Sequence, residues 1–137
     1  MVWYDDAMQS TTKQDIIQRM QELYVYDLYG FRPEIKALTA IVYPYETINS
    51  FATGILDGLR RLVVVTGYRV IIIGRRLAGG GEVIVIPRTA ITAHSYEKRW
   101  FSSTISIESS EGNYVFRGVS RRVVELFDWA MEQPIAQ

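Results

Sequence analysis

Residues 59–75 read Leu-Arg-Arg-Leu-Val-Val-Val-Thr-Gly-Tyr-Arg-Val-Ile-Ile-Ile-Gly-Arg. Two apolar runs, Leu62 to Val65 and Val70 to Ile73, are separated by Thr66-Gly67-Tyr68-Arg69, and every residue in them except Leu62 is β-branched. Such side chains are stiff about χ1 and pack well on a pleated surface, so both runs read as strands. A tight reversal at Thr66-Gly67 turns the second run back on the first, which makes the pair the centre of an antiparallel sheet. Neither run approaches the roughly 20 apolar residues a membrane-spanning helix needs.

Strand signals continue on both sides. Upstream, Glu46 to Leu56 leads into Asp57-Gly58, a two-residue hairpin signal because both residues tolerate the positive φ of a type I′ turn. Downstream, the glycine-rich loop Leu77 to Gly81 precedes a strand over Glu82 to Ile86, which Pro87 ends. Three more strands follow, over Ile91 to Glu97, Phe101 to Ser109 and Asn113 to Arg117. The middle one alternates, with Phe101, Ser103, Ile105 and Ile107 on one face and Ser102, Thr104, Ser106 and Glu108 on the other.

Helical spacing brackets this block. From Thr12 to Tyr24, Ile16, Met20, Leu23 and Tyr24 recur at i, i+4, i+7 and i+8, one apolar helical face, with Asp15 in the first turn where the helix dipole favours it. Pro33 opens a second short helix in which Ile35, Leu38, Ile41 and Val42 share a face, and Pro44 closes it. Ser120 is placed to cap a final helix through about Glu132, with Val123, Phe127, Ala130 and Met131 as its apolar stripe and a Val119–Val124 staple. The predicted fold class is mainly β (α+β). Seven strands form a barrel or two orthogonal antiparallel sheets, a C-terminal helix caps them, and two extra helices precede them.

Composition narrows function. A chain of 137 residues, 48% of them hydrophobic, fits one domain that needs no covalent staple. With no cysteine there is no thiol nucleophile and no thiolate metal site, and His94 is the sole imidazole. The start, MVWYDDAMQS, carries acids where a secretory signal carries positive charge, so a cytoplasmic location is expected. Net charge is zero, but residues 58–122 hold eleven basic and four acidic side chains, leaving the rest of the chain equally negative. Such segregation marks either an anion-binding surface or two regions that neutralise each other. Zero net charge disfavours a nucleic-acid binder.

Seven strands followed by a capping helix resemble the pleckstrin-homology (PH) superfold. Residues from about Pro33 to Pro134 are similar to the bacterial PH-like domains of the YokE-like group. The residues that carry the resemblance are Glu46-Thr47-Ile48 opening the first strand, Leu62 to Ile71 across the second turn, Ile86-Pro87 leading to Ile91-Thr92, and the late Tyr114-Val115-Phe116. The Thr66-to-Arg69 reversal is the most specific of these. The resemblance implies a non-catalytic scaffold over 33–137, with 1–32 as an added N-terminal segment. Some bacterial members build symmetric oligomers. Eukaryotic members often hold phosphoinositide head groups with a long basic first loop, which here is only Asp57-Gly58.

His94 lies mid-strand, and the chain carries no GxSxG elbow and no HExxH helix to give it a catalytic setting. Gly79-Gly80-Gly81 is followed by Glu82 and a strand rather than the Lys-Ser/Thr and helix of a phosphate loop. No catalytic residue, metal or cofactor is expected. Lys98-Arg99-Trp100-Phe101 sets two cations beside two aromatics at a strand reversal. This composition suits a protein interface, an anionic membrane surface, base stacking, or a tryptophan folded back on the barrel with its cations solvated. The leading expectation is a module that docks a protein partner or a second copy of itself. It would do so through the N-terminal helix (Ile16, Met20, Leu23, Tyr24) and the face around Arg99 and Trp100. The other is peripheral binding of anionic lipid, at the inner face of the membrane, or of a phosphorylated ligand. Arg60, Arg61, Arg75, Arg76 and the turn of Lys98, Arg99, Trp100 and Phe101 would carry it.

Overall fold

The computed structural model of the chain describes residues 13–23, 32–75 and 81–136. Helices α1 (Lys13–Glu22) and α2 (Arg32–Ile41) come first. Strands β1 (Ile48–Leu56), β2 (Leu59–Thr66), β3 (Arg69–Arg75), β4 (Gly81–Pro87), β5 (Ile91–Lys98), β6 (Ser103–Ser109) and β7 (Gly112–Val119) follow, and α3 (Val124–Glu132) ends the order. The strands form one sheet in the order β4-β3-β2-β1-β7-β6-β5, with every pairing antiparallel. Asp57 and Gly58, at φ 53° and 78°, make the tight β1–β2 turn expected from their sequence.

The sheet is most sparsely paired between β1 and β7, which share a single register pair, Ile55 with Arg117. At this crossing Gly54 faces β7 so closely that a Cβ built on it would lie 2.9 Å from Phe116 Cβ and 3.0 Å from Val119 Cγ2. Both neighbours are fully buried, so nothing can yield cheaply. Gly54→Val is expected to lose about 1–3 kcal/mol to overpacking, read from the midpoint of urea unfolding. An unchanged midpoint would show that the crossing has slack.

Two cores explain the uninterrupted apolar runs. On the inner face, Ala52, Val63, Val65, Val70, Ile72, Ile86, Ile105, Ile107 and Phe116 pack against Val124, Phe127, Ala130 and Met131 of α3. On the opposite face of β1–β3, Phe51, Leu62, Val64, Ile71 and Ile73 pack against Ile16 and Met20 of α1 and Ile35 and Leu38 of α2. Successive residues of β2 and β3 therefore serve alternate cores, because both faces are covered. Burying each large aliphatic side chain contributes about 1.5–3 kcal/mol. The four helical residues of the outer core together match the whole net stability of an ordinary domain, about 5–15 kcal/mol.

Three local expectations are corrected. Helix α3 starts at Val124, not at Ser120. A turn over residues 121–123 precedes it, Val123 stands at the N-cap without a side-chain cap bond, and the Ser120 hydroxyl accepts the Arg122 N–H instead. Strand β6 starts at Ser103, so Phe101 does not share the buried face of Ile105 and Ile107; it is 90% exposed. Strand β7 runs on to Val119, past the expected end at Arg117, and thereby brings Val119 into the inner core. Two ion pairs join the basic stretch to acids outside it, Arg69 with Glu46 and Lys98 with Glu125.

Candidate functional site

Of the arginines expected to bind an anion, Arg60 and Arg61 do not share a face. Arg60 and Arg61 are neighbours on β2, so the pleat sends them to opposite faces. Arg60 is exposed. Arg61 is on the inner side, 4% exposed, opposite Gly54 on β1 and Gly74 on β3. The missing side chain of Gly74 makes room for it: a Cβ there would fall 2.6 Å from Arg61 Cδ. Arg61 Nη1 lies 3.3 Å from Glu82 Oε1 of β4, so its charge already faces a carboxylate. Arg75 ends β3, and Arg76 lies outside the described residues.

Two other cations hold the elements together, and sequence reading had assigned neither of them a role. Arg69, just past the β2–β3 reversal, donates from Nε to Glu46 Oε2 and from Nη2 to Glu46 Oε1, both at 2.8 Å, and from Nη2 to the carbonyl of Ile41 at the end of α2. Thr66 Oγ1 donates to Glu46 Oε2 at 2.6 Å and accepts the N–H groups of Tyr68 and Arg69. The Thr66-to-Arg69 signature is therefore a clamp from the central reversal to Glu46 and α2. Arg88, after β4, is 5% exposed and donates to the carbonyls of Met131 (2.9 Å) and Gln133 (2.5 Å), which close α3.

The hairpin between β5 and β6 is built differently. Its turn closes with the Arg99 N–H donating to the Ser102 carbonyl at 2.9 Å. Trp100 and Phe101 are 83% and 90% exposed, and their rings meet edge to face with centroids 6.3 Å apart. The flanking cations are both paired: Lys98 Nζ with Glu125 Oε1 at 2.5 Å and Arg99 Nη2 with Glu97 Oε1 at 3.2 Å. The hydrogen bond and charge of Lys98 hold the Glu125 carboxyl below its ordinary value. The tip is thus an apolar aromatic pair on a charge-balanced base. Every residue from Ser95 to Phe101 is exposed, and β5 pairs with β6 alone at the end of the strand order.

The other candidates fall elsewhere. Ile16 and Met20, expected as self-association residues, are buried in the outer core of their own chain, and Leu23 packs partly against it, so as docked they present no free face. Tyr24 lies outside the described residues. His94, on β5, faces α3, where its Nε2 is 2.9 Å from Glu132 Oε1 and 3.5 Å from Asp128 Oδ1. Its hydrogen-bond partner is a carboxylate rather than a Ser or Thr hydroxyl, so the base–nucleophile pair of acyl-transfer chemistry is not assembled here. No helix among the described residues is long and apolar enough to cross a membrane.

A seven-stranded antiparallel sheet, closed on its inner side by a C-terminal helix, is the architecture of a PH-type scaffold. The family model of the bacterial PH domain matches residues 37–130, well over half the chain, and the chain belongs to that family. Its members are in general non-catalytic binding modules. The match is to the bacterial PH domain and does not single out the YokE-like group. No curated protein matches the chain.

Proposed function

We propose that this PH-type module works by protein–protein contact at the β5–β6 hairpin, and that its partner there is a second copy of the chain. The observation that carries this reading is the adjacent, almost fully exposed pair Trp100 and Phe101 at the end of an open edge strand. An unpaired edge is a template for another strand, and the same edge presented twice across a two-fold axis is self-complementary. The paired charges of Lys98 and Arg99 remove the repulsion that two basic tips would suffer, and equally remove much of the attraction to an anionic bilayer. With Ile16 and Met20 committed to the intrachain core, the hairpin rather than α1 carries self-association.

Light scattering coupled to gel filtration tests this. The full chain is expected to run as a dimer, and the Trp100→Ser/Phe101→Ser double variant as a monomer whose unfolding free energy changes by no more than about 0.5 kcal/mol, as for exposed positions. A monomeric parent chain across the micromolar range, or a variant that stays dimeric, would overturn it.

A second reading rests on a separate observation. Arg60 and Arg117 flank Ile55 from the two neighbouring strands, both are exposed, and neither has a carboxylate partner among the described residues. This row offers phosphate or an anionic lipid head group a two-cation contact, and would place the chain at the cytoplasmic face of the membrane. Salt-sensitive sedimentation with acidic but not neutral vesicles supports it; equal recovery with both removes it.

A further inference from the structure

We infer that His94, Asp128 and Glu132 form a binding site for a divalent transition ion, best matched by Zn²⁺, that staples β5 to α3. Asp128 and Glu132 are four residues apart on α3 and so share one face. His94 reaches that face from β5, and its ring is oriented by edge contact with Phe127, centroids 6.4 Å apart at 85°. One donor atom from each of the three residues lies within 4.8 Å of the others, the closest being His94 Nε2 and Glu132 Oε1 at 2.9 Å. A tetrahedral ion bound at 2.0–2.2 Å holds its donors about 3.3–3.6 Å apart. The present spacing brackets that value, and Glu132 is exposed enough to adjust.

The electrostatics point the same way. Glu132 is the last residue of α3, where the helix dipole is negative, Asp128 lies one turn before it, and the last turn contains no basic residue. Arg88 is committed to the backbone carbonyls of Met131 and Gln133. A neutral imidazole can donate one Nε2 proton to one carboxylate and leaves the second charge facing the first. A divalent ion in place of that proton engages all three donors. One imidazole nitrogen and two carboxylates suit Zn²⁺, whereas Mg²⁺ and Ca²⁺ demand six or more oxygens. Three protein ligands leave the fourth position to water. The consequence is mechanical: β5, which has no buried residue, gains a fixed attachment to the helix that plugs the inner core.

The test is calorimetric titration of zinc chloride into the full, tag-free chain in a non-chelating buffer, with thermal melts at matched zinc and magnesium. One equivalent of Zn²⁺ is expected to bind saturably and raise the melting temperature, while Mg²⁺ at the same concentration does neither. His94→Asn is expected to weaken binding by at least about 100-fold and Glu132→Gln by at least about tenfold, since losing a ligand costs no less than the roughly 10–100-fold found for the groups that only orient ligands. Circular dichroism verifies that both variants are folded. No saturable Zn²⁺ heat with the parent chain, or undiminished binding by folded His94→Asn, overturns the site. Neither result depends on the hairpin contact proposed above.

Discussion

Arg69→Met is expected to destabilise the chain by about 3–5 kcal/mol, the cost of stranding one partner of a buried ion pair. Glu46 is 5% exposed and is surrounded by donors: two from Arg69 at 2.8 Å, the Thr66 hydroxyl at 2.6 Å and the Tyr43 N–H at 3.2 Å. Methionine keeps much of the stem volume of arginine but removes both bonds to the carboxylate, and also the bond to the Ile41 carbonyl, the only one of these that reaches the end of α2. The guanidinium also sits 5.2 Å from the Tyr43 ring centroid, an attraction that methionine does not reproduce. Urea unfolding followed by circular dichroism measures the loss. A change below about 1 kcal/mol would equate this pair with a solvent-exposed salt bridge.

The same clamp sets an acid limb. Burial alone would raise the Glu46 carboxyl, but the hydrogen bonds from Arg69, Thr66 and Tyr43, together with the charge of Arg69, outweigh it and hold the group below its ordinary value. A carboxylate depressed in the folded state contributes stability that is present above its unfolded value and is lost as pH falls through the folded one. The parent chain should therefore lose stability in that acid interval. In Arg69→Met the burial effect prevails, so the same interval should flatten or change sign. Unfolding free energies measured from neutral to acid pH on both proteins test this, and parallel curves would remove Glu46 from the account.

Arg88→Met is expected to cost about 2–4 kcal/mol, from two charge-assisted hydrogen bonds, one to a buried and one to a part-buried carbonyl, at about 1.5–3 kcal/mol each, less what the apolar replacement recovers by packing. Arg88 differs from Arg69 in having no carboxylate partner among the described residues: desolvation lowers its pKa, and its charge is met by the carbonyl end of α3. The substitution frees α3 from the region after β4. Amide exchange should therefore accelerate in α3 well before it does in the β2–β3 pair. Uniform acceleration would mean that Arg88 holds no element in particular.

What the residue pattern revealed, and where it stopped, follows from the range of the interactions. Asp57-Gly58 and the two β-branched runs are local signals, and they placed the first hairpins and the centre of the sheet. The α1 stripe of Ile16 and Met20 was equally legible as an apolar face. Periodicity shows that a face is buried without showing against what, and here it is the outer side of β1–β3. Ser120 was read as a cap because the cap signal is local, whereas the start of α3 is set by Val124 entering the inner core. Sequence groups Arg61 with the anion-binding arginines, since nothing near it reveals that Gly74, thirteen residues on, opens a space beside it. The Glu46–Arg69 clamp joins positions 23 apart. It was visible only as the Thr66-to-Arg69 signature, whose physical reason is the shared carboxylate.

The hairpin was legible as composition, and its exposure was not. Alternation from Phe101 to Ile107 suggested an inward Phe101, but the ring is held out by a turn that closes between Arg99 and Ser102. This places two aromatics in water beside an open strand edge. The most direct measurement of their role uses the absence of cysteine from the chain. A spin label is attached to a single introduced cysteine, Ser95→Cys on β5 or Thr39→Cys on α2, and the dipolar coupling between copies is recorded. Contact along β5 requires a clear coupling from the Ser95 position at a distance shorter than that from Thr39. The absence of coupling from Ser95, or a shorter distance from Thr39, would contradict it.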